Sequence, residues 1–299
     1  MIVSFGAINL DLIATVEHLP APGETVVGPG YRALPGGKGA NQALAARRAG
    51  AEVQVVGCVG CDAFAEPALA VLVAAGVGLD HLVRDQEAPT GCAFICVDSA
   101  GENQIAVALG ANATLKHSAV PDALLGPNTI LMLQREVTPE ESWTLARRAS
   151  QRGATVVLNL APAGSVPADA LRCIDWLVLN EREAAELTRM HELGEGSEAA
   201  ALAKAFDIGV MTTLGAEGIA ACKGAERWQV PALKITPVDT VGAGDAAVGA
   251  FAAALDRKLE TREALRWASV AGGLACLTPG AQTSLPTEAQ IRNGVRQLA

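Results

Sequence analysis

The sequence has little positive charge, and this shortage restricts the partners that its surface can bind. Lys and Arg together number 23 against 32 Asp and Glu in 299 residues, so the formal net charge is -9. Binding to a nucleic-acid backbone requires concentrated Lys and Arg, so we expect no nucleic-acid partner. Local backbone amides could still bind a small anion.

The sequence also lacks an apolar run long enough to cross a bilayer. Half of its residues are hydrophobic, but stretches such as 68–79 are short or interrupted by Gly and Asp. The N-terminus has no basic region ahead of its first apolar run and soon reaches polar residues, unlike a signal peptide. We therefore expect a cytoplasmic protein without a membrane partner.

The cysteines and histidines lack the spacings of common chemical sites. The cysteines number seven, an odd count without paired spacing, so we expect reduced core residues and no disulfide framework. Cys58 and Cys61 form a C-x-x-C, and a zinc or redox site there is the alternative. The four histidines lie outside every glycine-rich motif, which leaves no Ser-His or Cys-His arrangement for acyl transfer.

Short β-type runs alternate with longer helical runs along most of the chain. Repeated strand-then-helix order predicts an α/β fold with a parallel sheet and helices on both of its faces, which we expect to form one domain over residues 1–299. The runs are 2–8, 40–49, 53–59, 66–75, 129–133, 139–152, 155–160, 176–179, 181–188, 199–206, 208–213, 246–255 and 262–275.

Two stretches, about 10–34 and 90–109, break this alternation and predict extra strands. They are separate in sequence but similar in character, so they could pair into a small sheet that projects from the main one. A substrate lid would need such a sheet. Two ordinary hairpins are the alternative.

A glycine-rich turn leads directly into an apolar helical pattern between residues 237 and 251. Gly242 and Gly244 permit backbone conformations closed to other residues, so amide N–H groups can converge at the positive end of the helix dipole. This arrangement is typical of a phosphate site. A carboxylate at Asp245 would repel that anion, so its functional use would be to take a proton from an attacking hydroxyl. The alternative is that Asp245 caps the helix.

A second glycine-rich segment, residues 35–43, also precedes a helical pattern. It is not a Walker A loop, because Lys38 is followed by Gly39 where that motif has Ser or Thr for magnesium. Its paired glycines would allow close backbone approach of a neutral polar ligand. Lys38 and Asn41 would offer donors to hydroxyl oxygens.

Asn9 and Asp11 follow the first predicted strand two residues apart. This spacing places both side chains on one face of an extended segment. The pair would suit sugar hydroxyls, and a turn or cap is the alternative.

Three motifs, in a shared order, resemble the PfkB, or ribokinase-like, carbohydrate kinases over nearly the whole chain. The resemblance implies a three-layer α/β sandwich whose mostly parallel central sheet is flanked by helices, with a small β-sheet lid. The motifs are Gly-Gly-Lys-Gly-Ala-Asn at 36–41, Asn-Glu-Arg-Glu at 180–183 and Asp-Thr-Val-Gly-Ala-Gly-Asp at 239–245. The ribokinase branch is closest, through shorter motifs at 9–11, 22–26, 101–103, 110–113 and 280–282.

The resemblance implies transfer of the γ-phosphoryl group of ATP to a primary hydroxyl, with the 5-hydroxyl of D-ribose as the first acceptor to test. Asp245 would be the catalytic base. The N–H groups of Gly242, Ala243 and Gly244 would form the anion hole for the transferring group. The residues that would surround the sugar are Asn9, Asp11, Gly37, Lys38, Asn41, Glu136 and Asp245.

A nucleotide site and two metal ions are also implied by the resemblance. Glu183 would hold the magnesium of MgATP, largely through water, since Mg²⁺ sheds its hydration shell reluctantly. ATP itself would contact Asn180, Thr213, Gly215, Ala216, Gly218, Gly244 and Ser269, the last at a position where the family often has Asn or His. A potassium ion near the anion hole would be bound by oxygens of Asp239, Val241, Ala275, Thr278, Gly280 and Ser284.

Other acceptors and other classes of protein fit parts of the sequence. Deoxyribose, fructose, 2-keto-3-deoxygluconate or a nucleoside are alternative acceptors. The spacing Gly242-x-Gly244-x-x-Ala247 fits a relaxed dinucleotide fingerprint of an oxidoreductase, although it does not open a βαβ unit in the sequence. A non-catalytic sugar-binding protein is a further alternative, which an intact Asp245 argues against. Family members often pair through the lid, whose exposed edges favour pairing, so we expect a homodimer.

Overall fold

The structure, a computed structural model, describes residues 1–193 and 197–298. Strands and helices alternate along most of it. The strands are β1 (Ile2–Phe5), β2 (Asn9–Thr15), β3 (Tyr31–Gly36), β4 (Val53–Val56), β5 (Cys58–Gly60), β6 (Val83–Asp85), β7 (Gly91–Val97), β8 (Asn103–Ala108), β9 (Ile130–Leu133), β10 (Thr155–Asn159), β11 (Trp176–Asn180), β12 (Gly209–Thr213), β13 (Ile219–Lys223) and β14 (Glu226–Val230). The helices are α1 (Lys38–Arg48), α2 (Ala65–Ala74), α3 (Pro139–Gln151), α4 (Ala168–Leu171), α5 (Glu181–Met190), α6 (Glu198–Phe206), α7 (Ala243–Asp256), α8 (Thr261–Ala275) and α9 (Glu288–Gln297).

The main sheet has the strand order β14-β13-β12-β11-β10-β9-β1-β4. From β4 to β12 every pairing is parallel, with Ile2 of β1 facing Val53 on one side and Ile130 on the other. The predicted parallel sheet is therefore confirmed. The last two strands are antiparallel and were not predicted, because they form a hairpin at Gly224 in a stretch that mixes charged and apolar residues.

Helices cover both faces of this sheet, as predicted. Alternate residues of β9 belong to opposite layers of the core, because successive strand side chains point to opposite faces. Ile130 and Met132 pack with α1, α2, α7, α8 and α9. Leu131 and Leu133 pack with the layer that contains α3 to α6.

The two stretches that break the alternation form a second sheet, ordered β3-β2-β7-β8. Each stretch is a hairpin, and the two hairpins join through parallel pairing of β2 with β7, from Asn9 opposite Gly91 to Thr15 opposite Val97. The predicted small separate sheet is thus confirmed. A third, two-stranded sheet pairs β5 with β6, so the run predicted as one strand at 53–59 is in fact divided at Gly57.

Close packing of α1 against α7 fixes the position of the functional residues. Gly249 lies where the two helices meet, and a Cβ added there would lie 2.5 Å from the Cβ of Ala45. Only glycine permits this approach, which brings the first turns of both helices together near the carboxyl ends of the central strands.

The seven cysteines are free thiols, including Cys58 and Cys61. Across the ranges 1–193 and 197–298, no helix combines the length and apolar character that crossing a membrane requires.

Candidate active site

The first turn of α7 is the predicted anion site. Gly242 precedes the helix with a φ of 80°, a left-handed conformation that favours glycine. A side chain there would also collide with the backbone of Ala281. The N–H groups of a first helical turn lack partners within the helix. Among the three predicted N–H donors, the backbone N–H of Ala243 donates to the carbonyl oxygen of Thr240 at 3.3 Å.

Asp245 lies in this first turn but does not cap the helix, so the capping alternative is wrong. The residue is 6% exposed, and its carboxylate points toward α1. Its Oδ2 accepts a hydrogen bond from Asn41 Nδ2 at 3.0 Å, and its Oδ1 accepts one from Gln42 Nε2 at 2.9 Å. Gly242 occupies the N-cap position without any side-chain cap bond.

Asn9 and Asp11 lie on β2, at the junction of the main sheet and the small one. Gly36 leaves room for Asp11, since a Cβ at Gly36 would overlap the carboxylate. Asp11 Oδ1 is buried without a hydrogen-bond partner in the described part of the chain, so it is free to accept a hydroxyl. Asn9 Oδ1 accepts from Asn112 Nδ2 at 2.8 Å. Asn112 was not predicted as part of the site, although it lies in the quoted motif at 110–113.

The carboxyl groups of Asp11, Glu136 and Asp245 lie near a single cation, the side chain of Lys38. The pKa of Asp11 is raised to about 7, mainly by burial and then by the nearby carboxylates of Glu136 and Asp245, against the opposing effect of Lys38. Burial also raises the pKa of Glu136. The carboxylate of Asp245 is the main cause of a raised pKa at Lys38. Glu136 Oε2 accepts the backbone N–H of Lys38 at 2.8 Å, which holds the first residue of α1.

The N-x-x-E motif forms a capping box at the start of α5. Asn180 Oδ1 accepts the N–H of Glu183 at 2.8 Å, and Glu183 Oε2 accepts the N–H of Asn180 at 2.8 Å. Burial raises the pKa of Glu183. Both side chains line a polar cavity of about 250 Å³ that also contacts Lys38 and Asp245. The motif therefore has a structural role and still presents polar atoms to this cavity.

A second cavity, of about 390 Å³, has mostly apolar walls and lies on the other side of the α7 first turn. Ser269 lines it, but its hydroxyl donates to the carbonyl oxygen of Pro231 at 2.8 Å. The two cavities share Thr213, Thr240 and Gly244. The predicted ATP contacts that line the second cavity are Thr213, Gly215, Ala216, Gly218, Gly244 and Ser269.

Asp239 joins the two loops that contain the predicted potassium ligands other than Ala275, which is the last residue of α8. Its Oδ1 accepts from the N–H of Val241 at 2.9 Å, and its Oδ2 accepts from the N–H of Gly280 at 2.8 Å. The hydroxyl of Ser284 donates to the carbonyl oxygen of Ala281 at 3.1 Å. The structure thus brings loop 237–242 and loop 276–284 together beside the predicted anion site.

The structure around Gly242 excludes the alternative of a dinucleotide-binding fingerprint. That fingerprint opens a βαβ unit, with the helix between two parallel strands. Here irregular chain from residue 231 to 242 separates β14 from α7, and α7 is followed by α8.

Comparisons with known proteins agree with this geometry. The family described as pfkB family carbohydrate kinase matches residues 1–288. A ribokinase of Haemophilus influenzae is 35% identical over 288 residues, covering 94% of each chain. The crystal structure of a Thermotoga maritima ribokinase superposes with a TM-score of 0.92 at 30% identity over 99% of each chain. A structure of Arabidopsis thaliana ribokinase complexed with ribose and ATP has a TM-score of 0.88 at 29% identity, covering 99% of this chain and 98% of that one. The chain therefore belongs to the pfkB family of carbohydrate kinases.

Proposed function

We propose that the protein transfers the γ-phosphoryl group of ATP to the 5-hydroxyl of D-ribose. The observation that supports this most strongly is that Asp245 and the first turn of α7 lie where a polar cavity meets an apolar one. A base and an anion site at such a junction suit phosphoryl transfer between two ligands that approach from opposite sides. The likeness to ribokinases supports ribose as the acceptor.

In this proposal Asp245 accepts the proton of the attacking hydroxyl. The N–H groups of Gly242, Ala243 and Gly244 at the first turn of α7 stabilise the negative charge of the transferring phosphoryl group. The N–H of Ala243 exchanges its 3.3 Å contact with the Thr240 carbonyl for the phosphate. Positioning and electrostatics supply most of the catalysis in such reactions. The apolar cavity holds the adenine, which contacts Ala216 and Gly218. Ser269 donates its hydroxyl proton to Pro231, so it can only accept a hydrogen bond from the nucleotide.

The sugar lies between the small sheet and α1. Asp11 Oδ1 accepts one of its hydroxyls, since this oxygen is buried and has no partner among the described residues. Asn9, Gly37, Lys38, Asn41 and Glu136 complete the surroundings. The small sheet acts as a lid that excludes water from the reacting groups.

Two metal ions complete the proposed site. Glu183 and Asn180 fit the water shell of the magnesium of MgATP, because their polar atoms face the polar cavity. Bound magnesium would neutralise phosphate charge. The loops joined by Asp239 fit a potassium ion, with oxygens from Val241, Ala275, Thr278, Gly280 and Ser284. Potassium there would add positive charge close to the anion hole.

A second copy of the chain is the proposed partner, docked on the lid. Ile105 and Val107 are 56% and 48% exposed, and their spacing places them on one side of β8. An exposed apolar row on an edge strand favours pairing with another sheet.

A sugar panel tests the function. With MgATP and potassium, we expect ribose to have a kcat/KM at least about tenfold above those of deoxyribose, fructose, 2-keto-3-deoxygluconate and adenosine. A site built to hydrogen-bond the hydroxyls of ribose rejects an acceptor that lacks one of them or places it elsewhere. ADP release measures the rate. A faster reaction with another acceptor would contradict the ribose assignment.

Exchange of potassium for sodium is expected to slow the reaction, and equal rates would contradict the cation site.

Removal of the base tests the mechanism. Asp245→Asn is expected to lower kcat by roughly 10²- to 10⁴-fold, because proton transfer to a positioned base contributes about that much. Asp207→Asn is the matched control, since Asp207 is exposed and has a left-handed backbone that Asn also tolerates. Turnover of Asp245→Asn within about threefold of the wild type would refute the assignment.

The raised pKa of Asp11 predicts opposite effects on stability and on sugar use. The folded chain binds the Asp11 proton more tightly than the unfolded chain, so ionisation of this carboxyl weakens the fold as pH rises from about 4 through 7. Asp11→Asn should therefore be more stable than the wild type at pH 8, with a smaller difference at pH 5. Its kcat/KM for ribose should fall by about tenfold or more, because a charged hydrogen bond is lost.

Urea unfolding at both pH values, together with kinetics, measures the two effects. Asp207→Asn again serves as the control. An Asp11→Asn variant that is less stable than the wild type at pH 8 would contradict the expected ionisation of Asp11.

The lid contact predicts a change in oligomeric state. Ile105→Asp should convert the dimer to a monomer, because the apolar row would acquire a charge that must be buried in the pair. Val73→Asp places the same charge on α2, at a residue that is 61% exposed, and should leave the dimer intact. Light scattering after size exclusion gives the mass. A monomeric wild type, or an unaltered Ile105→Asp dimer, would contradict the proposal.

A further inference from the structure

We infer that two buried glutamines set the orientation of the Asp245 carboxylate, and that Gln134 is a positioning residue for catalysis although it does not contact Asp245. Gln134 and Gln42 together are called the amide chain below. The inference rests on the proposed role of Asp245 as base.

The amide chain is a directed series of hydrogen bonds. Gln134 Nε2 donates to Gln42 Oε1 at 2.8 Å, and Gln42 Nε2 donates to Asp245 Oδ1 at 2.9 Å. Gln42 Nε2 also donates to Asn159 Oδ1 at 2.9 Å. Both ends of the Gln42 amide are therefore engaged, the oxygen by a donor and the nitrogen by two acceptors.

The direction of these hydrogen bonds determines whether the amide nitrogen or the amide oxygen of Gln42 faces Asp245. A side-chain amide can rotate by half a turn and exchange its donor and acceptor ends. If Gln42 rotated, its oxygen would face the carboxylate and repel it. The donor on Gln134 favours the orientation in which Gln42 holds Asp245, and so acts on the base through one intermediate residue.

Burial makes this constraint strong. Gln42 and Gln134 are both 0% exposed, so water does not replace a lost bond. Gln134 Oε1 has no hydrogen-bond partner in the described ranges and lies against Gly6, where a Cβ would overlap it. A buried oxygen without a partner is unfavourable for folding. Packing alone would thus favour an apolar side chain at 134, which points to a role for the amide in orientation.

The other carboxylate oxygen is held in a similar way. Asn41 Nδ2 donates to Asp245 Oδ2, and Gln282 Nε2 donates to Asn41 Oδ1 at 3.0 Å. Gln282 lies in the loop of the proposed potassium site, and Asn41 is a proposed sugar contact. Variants on that side would change several properties at once, so Gln134 is the cleaner residue to test.

The experiment measures kcat, both KM values and thermal stability for Gln134→Met, Gln42→Met and the double variant. The acceptor is whichever sugar the panel identifies, so an error in the ribose assignment leaves the test intact. We expect Gln134→Met to lower kcat by about tenfold and Gln42→Met by about 10²-fold, since small misplacements of reacting groups have effects of this size. The KM values should change by less than about threefold, because bound ground-state contacts remain.

The double variant tests whether Gln134 acts through Gln42. In the Gln42→Met background, Gln134→Met should change kcat by less than about twofold, since residues in one series are not additive. If Gln134→Met still lowered kcat about tenfold in the Gln42→Met background, the inference that Gln134 acts through Gln42 would be overturned. Wild-type kcat in Gln134→Met, or a change confined to KM, would overturn the positioning role.

Two further variants separate orientation from folding. Gln54→Met is the control. Gln54 also has a buried amide oxygen with no hydrogen-bond partner among the described residues, but it lies on β4 and contacts none of the proposed catalytic residues. Its kcat should match the wild type. Gln134→Asn keeps a buried amide but shortens it, so it should lose kcat as Gln134→Met does while its sugar affinity by calorimetry stays within about threefold. Full kcat in Gln134→Asn would overturn the inference.

Discussion

The contact between α1 and α7 is the constraint on which the rest of the site depends. Gly249 allows the two helices to approach closely, and this approach places Asn41 and Gln42 beside Asp245. The carboxylate of α7, the helix of the proposed anion site, therefore receives two of its hydrogen bonds from α1. Without this packing, Asp245 would be an ordinary acid in a first helical turn, a position where Asp is favoured for its interaction with the dipole.

The same region concentrates negative charge at a cost to the fold. Burial raises the pKa of Asp11 and of Glu136, and the neighbouring carboxylates, Asp245 foremost, raise the pKa of Lys38 although its own burial opposes this. Such a cluster is unfavourable for folding at neutral pH but suits ligands that bring hydroxyl donors and metal ions. Asp11 Oδ1, which has no hydrogen-bond partner among the described residues, belongs to this same arrangement.

Local patterns were sufficient to predict the parallel sheet and its two helical layers, because buried strands and amphipathic helices differ in period. The likeness of the two irregular stretches indicated only that they could pair, with two ordinary hairpins as the alternative, and the structure shows that they pair. The hairpin at Gly224 was missed because its strands are short and partly charged. Eleven of the 23 predicted site residues lie in the three ordered motifs, and the others came from the wider family resemblance. The structure brings Asp11, Lys38, Glu136 and Asp245 close enough for their charges to interact.

The buried amides could not be predicted, for a physical reason. Gln42 lies 92 residues from Gln134 and 203 from Asp245 in the chain, so their contacts exist only after the sheet and both helices have assembled. Nothing in the local sequence around Gln134 distinguishes an amide in a directed series from one on a surface. Asn112 is similar, since its partner Asn9 lies 103 residues away.

The most direct measurement is a crystal structure with ribose and a non-hydrolysable ATP analogue bound together. The account predicts an oxygen of Asp245 within about 2.6–3.2 Å of the sugar 5-hydroxyl, in line with the γ-phosphorus at the first turn of α7. Gln42 should still donate to the other carboxylate oxygen. A 5-hydroxyl remote from Asp245, with the carboxylate turned away from the phosphate, would contradict the account.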